Sequence, residues 1–440
     1  MDAILSPPEK NAPWWARLGL AAGLGALFFA VYGGCNTLTA WRAAHGEAIP
    51  TWAFPWERHI PLIPWTAVPY WSEDLFFVLA IFACGSWPRL RTHALRVMTA
   101  LAGAALFFFA MPLTAEFART EVHGPFGWLF GALHQMDKPY NLFPSLHVTL
   151  GMLMLSALHS VAKGGWKVAL WVWFALIFAS TLTTHQHQVM DLLGGFALGV
   201  VCLHAWPWPA EHTATEGQRN LRLATLYLVP AILLTIAAWL LRPWGVLLLW
   251  PAWSMAAVAA GYLGLGARVY AKRNGQIHWA AGWAMAPAIL GQRLSRAWYA
   301  HQSPPWNEVA PGVFIGRALN ETEARAAVTQ LRLSAVLDLT SEASEPPAFH
   351  TLDYLNLQIL DLTAPTPAQR AQGVAFIESR LAAGGRVYIH CKAGYSRTAA
   401  VAGAWLLQSG RHADAQDVVN HLRLSRPGMV IRPEAMACLQ

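Results

Sequence analysis

Charge is what this sequence has least of. Only 12% of its 440 residues are Asp, Glu, Lys or Arg, about half the share of an ordinary soluble domain. With 55% hydrophobic residues and 23 Trp, that deficit excludes a chain that is soluble throughout. Cysteine is sparse as well. Cys35, Cys84, Cys202, Cys391 and Cys438 show no pairing pattern and three lie in apolar runs, which argues against a disulfide framework. No cluster has metal-ligand spacing, so neither a metal nor another cofactor is expected. Residues 1–17 lack the short apolar core and small-residue cleavage site of a removable signal. The net charge of +7 is modest and gathers beside apolar segments. It points to anionic lipid head-groups and away from nucleic acid.

The apolar runs lie before about residue 266. Stretches of about 20 residues near 16–35, 72–88, 97–115, 145–161, 167–184, 189–207, 223–241 and 244–266 predict about eight membrane-spanning helices. Basic residues mark alternate turns. Lys10 and Arg17 precede the first run, and Arg89, Arg91 and Arg96 follow the second. Lys163 and Lys167 follow the fourth, Arg219 and Arg222 the sixth, and Arg268, Lys272 and Arg273 the eighth. The positive-inside rule then puts these turns and both termini in the cytoplasm, and the loops 36–71, 116–144 and 185–188 outside. Residues 274–301 are Trp-rich, carry Arg293 and Arg296, and are interrupted by Pro287. They predict an interfacial helix. From 301 onward the pattern is soluble α/β, with strands expected at 313–315, 335–339, 354–360 and 387–390 and helices at 322–331, 368–383, 398–408 and 413–423. The expected division is 1–57, 58–207, 208–273, 274–301 and 302–440.

One nonapeptide carries the clearest chemistry: His390-Cys391-Lys392-Ala393-Gly394-Tyr395-Ser396-Arg397-Thr398. A strand precedes it and an alanine-rich helix follows. In that setting the loop N–H groups and the helix N-terminus converge on one anion. The same field lowers the Cys391 pKa and makes a thiolate nucleophile. Arg397 can hold two phosphate oxygens with its fork. Lys392, Ala393, Gly394, Tyr395 and Ser396 form the cradle, with Ala393 and Gly394 permitting its bend. Thr398 or Ser396 supplies a hydroxyl to steady the sulfur. Asp361, in a loop after a strand, is the candidate general acid. Asp338 and Asp353 are weaker candidates, Asp338 because it lies inside a strand.

These residues resemble the protein-tyrosine and dual-specificity phosphatase superfamily over about 306–436, including Val313-Phe314-Ile315-Gly316, Val336-Leu337-Asp338-Leu339-Thr340 and Arg426-Pro427. Within it the loop is most similar to the mitochondrial phosphatidylglycerophosphate phosphatases, which implies a phospholipid monoester as substrate. Lys392 adds a cation that suits a polyanionic head-group.

A second constellation lies in the apolar half. Pro144-Ser145-Leu146-His147 opens the fourth run, and His185-Gln186-His187-Gln188-Val189-Met190-Asp191 separates the fifth from the sixth. On a helix, His187 and Asp191 share a face. The carboxylate would orient the imidazole, leaving its other nitrogen to attack phosphorus. His147 would protonate the leaving group. Arg119 and Ser145 are candidates for phosphate binding. His185, with Val189 four residues on, reads as a supporting contact; Glu73 and Asp74 are either structural or head-group ligands.

This half resembles the type-2 phosphatidic acid phosphatase superfamily over about 58–207, near the sphingomyelin and inositol-phosphorylceramide synthases. The matching stretches are 60–64, 137–141, 143–148 and 180–195. It departs from the pattern where Thr120 follows Arg119, where Pro112 holds the lysine position, and at Ser180-Thr181. These changes reduce the phosphate cage, and Lys138 is a candidate to compensate.

The two resemblances together imply a multi-pass α-helical membrane bundle of about eight spans fused to a soluble α/β dual-specificity-phosphatase domain. They imply a bacterial inner-membrane enzyme acting on phospholipids, with a cytoplasmic Cys-dependent site and an outer His-dependent site. The alternative is a membrane-anchored protein tyrosine or dual-specificity phosphatase whose membrane half senses or binds lipid. Oligomeric state stays open.

Overall fold

The computed structural model describes residues 11–117, 121–136, 138–209 and 219–440. The chain forms two compact units, Met1–Ala210 and Glu211–Gln440.

The first unit contains helices α1 (Trp14–Ala44), α2 (Ala67–Ala83), α3 (Trp87–Ala110), α4 (Gly127–Met136), α5 (Leu146–Val161), α6 (Gly165–Thr183) and α7 (Val189–Ala205). Its centre is the α5–α7 pair. A Cβ at Gly195 would overlap the Ser145 carbonyl and Val148, and one at Gly199 would overlap Met152. Only small residues let these backbones approach so closely. Polar groups then start both helices. The Ser145 hydroxyl accepts from the Val148 N–H at 3.4 Å, and Asp191 Oδ2 accepts from the Gln188 N–H at 2.8 Å, each satisfying an otherwise orphaned donor.

The second unit starts with α8 (Leu221–Leu240) and α9 (Leu249–Ala260). A two-residue hairpin follows, with β1 (Lys272–Arg273) paired to β2 (Gln276–Ile277). Asn274 and Gly275 between them both have positive φ, as a tight hairpin turn requires. Next come α10 (Trp279–Ala284) and α11 (Ala286–Gln302). Pro287 sits in the first turn of α11, so the expected break falls one step earlier, at Met285. Trp279, Trp283, Leu290, Leu294 and Trp298 are exposed, as an interfacial pair of helices needs.

The rest is a five-stranded sheet of β3 (Trp306–Ala310), β4 (Val313–Arg317), β5 (Ala335–Thr340), β6 (Asp353–Ile359) and β7 (Val387–Cys391), with helices α12 (Glu321–Gln330), α13 (Pro367–Ala382), α14 (Ser396–Gln408), α15 (Ala415–Ser425) and α16 (Pro433–Met436). The strand order is β3-β4-β7-β5-β6. All pairs are parallel except β3–β4. Strand alternation gives the sheet two apolar faces. Val313, Ile315, Leu337 and Ile389 pack with α13, α14 and α15, while Phe314, Val336 and Tyr388 pack with α12. The edge strand β3 and the short α16 were not expected.

Three expectations change. Each of the eight apolar runs contains a helix, but among the described residues six segments are long and apolar enough to cross a membrane. Helices α5 and α7, of 16 and 17 residues, fall short, so a count of eight spans is not established. Second, Arg89, Arg91 and Arg96 do not lie in a loop. Helix α3 begins at Trp87 with Pro88 in its first turn, and Arg96 is buried, donating to the Trp206 carbonyl at 2.7 Å and lying 3.9 Å from the Trp208 ring. This cation sits at the end of α7, where the helix dipole favours it. Third, Lys272 is not a solvated flanking charge. It is 1% exposed and enters the phosphatase-like domain, donating to Asp338 Oδ2 at 2.5 Å and to Thr340. Helices α8 and α9 accordingly cluster with the C-terminal domain and not with the bundle before them.

Two candidate phosphate-transfer sites

Strand β7 ends at Cys391, at the carboxyl edge of the parallel strands, where ligand sites of open α/β sheets gather. The loop then turns through Gly394, whose φ is +71°. A Cβ there would overlap the backbone of Gly316 and Arg317 on β4; that backbone cannot move aside, so glycine is required. Helix α14 starts at Ser396, bringing Arg397 and Thr398 into its first turn. Arg426 braces the loop from behind, with its guanidinium on the Ala393 carbonyl at 3.2 Å and on Ser303 and Asn307.

Cys391 is buried. Burial alone would raise its pKa, but the Arg397 cation, the Thr398 hydroxyl and the N–H groups of Thr398 and Tyr395 outweigh it and hold the thiol below its ordinary value. The Thr398 hydroxyl has no other partner among the described residues. The Ser396 hydroxyl is engaged elsewhere, donating to the Val430 carbonyl at 2.9 Å and accepting from the Arg432 N–H at 3.1 Å. Of the two candidates for steadying sulfur, Thr398 is the one in place.

Arg397 is held bidentately by Glu342, at 2.6 and 3.1 Å, donates to the Ile359 carbonyl at 2.8 Å and reaches Asp361 Oδ1 at 3.0 Å. The other Asp361 oxygen is paired with Lys392, which also donates to Gln292 Oε1 on α11 at 3.0 Å. Burial would raise the Asp361 pKa, yet the Arg397 and Lys392 cations prevail and hold it below the usual carboxylate value. The Tyr262 hydroxyl donates to the Asp361 carbonyl at 2.7 Å and fixes the acid's backbone. The two weaker acids separate cleanly. Asp353 is at the opposite end of β6 in an exposed pair with Arg380, and Asp338 is enclosed by Lys272, Tyr354 and Asn356.

Asp338 belongs to a buried cluster behind the loop. Glu345 lies 3.2 Å from His390 Nε2 and 3.8 Å from Lys272 Nζ. Asp338, Glu345 and His390 are close enough together to hold a metal ion, but the Lys272 ammonium already stands against both carboxylates. Burial opposes charge on His390, but Glu345 and Asp338 outweigh it and raise its pKa.

Sequence reasoning missed Glu342, Gln292 and Tyr262. Glu342 had a signal, since it follows the carboxyl end of β5. The other two come from segments before the domain, and no local pattern marks them.

In the first unit, His147 lies in the first turn of α5 and His187 just precedes α7. The Ser145 N–H donates to the Asp191 carbonyl at 2.9 Å and ties the two helix starts together. The imidazole centroids are 5.6 Å apart. His187 Nδ1 is 3.5 Å from Asp191 Oδ2, and His147 Nε2 is 3.7 Å from Glu73 Oε2. The expected His187–Asp191 pairing is present, though His187 reaches it from outside the helix. A cavity of about 340 Å³ is lined by both histidines, Glu73, Asp74, Lys138 and Asn141, among others. Ser145 is fully buried and caps α5, so in this structure its hydroxyl serves the helix start. His185 bonds the Ile60 carbonyl at 3.0 Å and stacks on Phe117, a supporting contact. Arg119 lies outside the described residues.

Comparison with known proteins agrees with this division. Residues 74–205 match the PAP2 superfamily, and residues 313–440 match the dual specificity phosphatase catalytic domain. The chain is similar to phosphatidylglycerophosphatase and protein-tyrosine phosphatase 1 of Mus musculus, 33% identical over 90 residues, covering 20% of this chain and 46% of the relative. It is similar to the tyrosine-protein phosphatase CDC14 of Saccharomyces cerevisiae, 34% identical over 83 residues, covering 19% of this chain and 15% of the relative. It thus spans less than half the length of these relatives. The crystal structure of PTPMT1 aligns at 24% identity over 30% of this chain and 90% of that one, with a TM-score of 0.28. PTPMT1 in complex with PI(5)P aligns at 23% identity over 31% and 92%, with a TM-score of 0.29. The chain therefore carries a PAP2-superfamily segment followed by a dual specificity phosphatase catalytic domain.

Proposed function

We propose that this chain is a membrane phosphatase that hydrolyses a phospholipid monoester at Cys391. The observation that carries the reading is the meeting of the Cys391 thiol, Arg397 and Asp361 at one point, with Lys392 tied to the apolar interfacial helix α11. The thiolate attacks phosphorus, the bond to the lipid oxygen breaks, and Asp361 donates the proton that oxygen needs. Asp361 then takes a proton from water, the resulting hydroxide attacks the phosphocysteine, and the thiolate departs from inorganic phosphate. In the free protein Arg397 and Lys392 hold Asp361 ionised. A bound phosphate dianion takes over both cations, so the acid gains its proton with substrate in place.

The His147–His187 cavity supports a second activity in which His187 Nε2 accepts a phosphoryl group, Asp191 holds the ring, and His147 protonates the leaving group. Each imidazole lies 3.5 to 3.7 Å from its own carboxylate, so a small approach would make the hydrogen bond that fixes a tautomer. Lipid phosphatase and phosphotransferase outcomes both fit. The loop charges favour Cys391 at the cytoplasmic side of a bacterial inner membrane and the histidines at the outer side.

The test is phosphate release by the full-length protein from phosphatidylglycerophosphate in mixed micelles and from a phosphotyrosine peptide. Hydrolysis of the lipid that disappears in Cys391→Ser is expected. Peptide hydrolysis with no lipid turnover sinks the lipid reading in favour of a protein phosphatase.

A further inference from the structure

A cavity of about 600 Å³ adjoins the catalytic loop, and its walls come from outside the phosphatase-like domain as well as from within it. Lys392 and Glu342, the partners of Asp361 and Arg397, are among its lining residues. Trp250, Pro287, Ile289 and Leu290 give it one apolar side, and Gln292, Arg293 and Arg296 of α11 give it a basic one. The two arginines are three residues apart and share a helix face.

The cations here differ in their partners. Arg397 is held by Glu342, and Lys392 by Asp361 and Gln292. Arg293 and Arg296 make no ion pair or hydrogen bond among the described residues. Arg296, partly buried beside apolar side chains, is short of an anion, and Arg293 stands exposed one helical turn away at the cavity's edge. Burial, with Arg293 and Arg317 nearby, lowers the Arg296 pKa despite Glu345. The exposed apolar side chains of α10 and α11 meanwhile suit an interface where acyl chains lie.

We infer that Arg293 and Arg296 bind a second phosphate of the substrate, the phosphodiester that joins the head-group to its diacylglycerol, while the terminal monoester lies at Cys391. This rests on the lipid-monoester reading and names its class: a phospholipid whose terminal monoester is separated by a short polyol from its diester. Phosphatidate has no diester and would have to draw its acyl chains toward the loop to reach the sulfur. A soluble aryl phosphate engages the loop alone. Arginine suits the role because its fork matches a pair of phosphate oxygens.

The experiment compares full-length wild type with Arg293→Gln/Arg296→Gln on three substrates: phosphatidylglycerophosphate and phosphatidate in mixed micelles, and p-nitrophenyl phosphate in the same detergent. The double variant should raise KM for the diester-containing lipid by about ten- to a hundredfold, the loss expected for charge-assisted hydrogen bonds. The aryl phosphate kcat/KM should stay within about twofold, and Arg293→Lys/Arg296→Lys should recover part of the loss. An unchanged KM for phosphatidylglycerophosphate, or an equal loss on both lipids, overturns the inference while Cys391-dependent lipid hydrolysis stands. If aryl phosphate turnover also falls, Arg293→Gln alone, at an exposed position, decides by the same ratio between substrates. Absence of Cys391-dependent lipid hydrolysis in wild type would instead sink the reading beneath it.

Discussion

Around Cys391 each cation proposed to bind phosphate is paired with a carboxylate, Arg397 with Glu342 and Lys392 with Asp361. Around the histidines the balance is reversed: Glu73 and Asp74 line the cavity beside Lys138, and Asp191 stands behind His187. One site is a preformed anion cradle, built from backbone N–H groups, a helix start and an anchored guanidinium. The other sets two imidazoles beside carboxylates in a cavity where Lys138 is among the lining residues. Preorganised dipoles need no rearrangement as charge develops, whereas an imidazole pair depends on its protonation. The two sites should therefore fail in different ways.

The largest effect expected is a double dissociation. Cys391→Ser should lower lipid-monoester hydrolysis by the C-terminal α/β domain by roughly 10⁴-fold or more, as losing a nucleophile does, and leave any His-dependent lipid turnover intact. His187→Ala should do the reverse. If either variant silences both activities in assays with separate substrates, the two sites are not independent and the comparison breaks.

Asp361→Asn comes next. Loss of a general acid and base should cut kcat by roughly 10²- to 10⁴-fold on a lipid with a poor leaving group. The pH profile makes the test sharper. The proposed mechanism requires the Cys391 thiolate and the protonated Asp361, so wild-type kcat should rise with pH as the thiol ionises and fall as the acid does. Asparagine removes the falling limb and keeps the rising one. A profile that keeps both limbs would move the acid elsewhere.

Lys272→Met probes stability. Removing the ammonium leaves Asp338 and Glu345 buried against one remaining cation, His390. Breaking such a buried pair costs about 3–5 kcal/mol, which a denaturant or thermal melt of the C-terminal unit would register. Lys272→Met with Asp338→Asn should recover part of that loss. If the single variant is as stable as wild type, the cluster carries less charge than its geometry implies.

What the sequence conveyed about these sites follows a physical rule. Cys391, Arg397 and Gly394 were legible because one loop brings its chemistry together over a few residues, and local spacing is visible in a string. His187 and Asp191 were legible for the same reason. Glu73 was noticed without its partner, since 74 residues separate it from His147 and only helix packing joins them. Lys272 was misread because a basic residue after an apolar run looks the same whether it meets solvent or two buried carboxylates. The ends of α3 were misplaced because arginines were assumed to end a span, whereas Arg96 pays for its burial at the end of α7. Ser145 and Ser396 were assigned to phosphate by position, whereas the partners of their hydroxyls, the Val148 N–H for one and Val430 and Arg432 for the other, come from capping and tertiary packing that spacing does not show.

The smallest effect expected concerns the sulfur itself. Thr398→Ala removes a hydroxyl that helps hold the Cys391 pKa down, and a hydrogen bond to a charged group contributes about 1.5–3 kcal/mol. The sign follows from which form the bond favours. The hydroxyl stabilises the thiolate, so its loss raises the Cys391 pKa and moves the rising limb of activity to higher pH. At a pH on that limb, iodoacetamide should alkylate the variant at least about tenfold more slowly. At a pH where both thiols are fully ionised the two rates should converge. Ser396→Ala is the matched control, because its hydroxyl serves Val430 and Arg432 and should leave the alkylation profile where it was. If Ser396→Ala shifts the profile and Thr398→Ala does not, the roles of the two hydroxyls are exchanged. Either way His-dependent turnover stays unmoved, because no thiolate takes part in it.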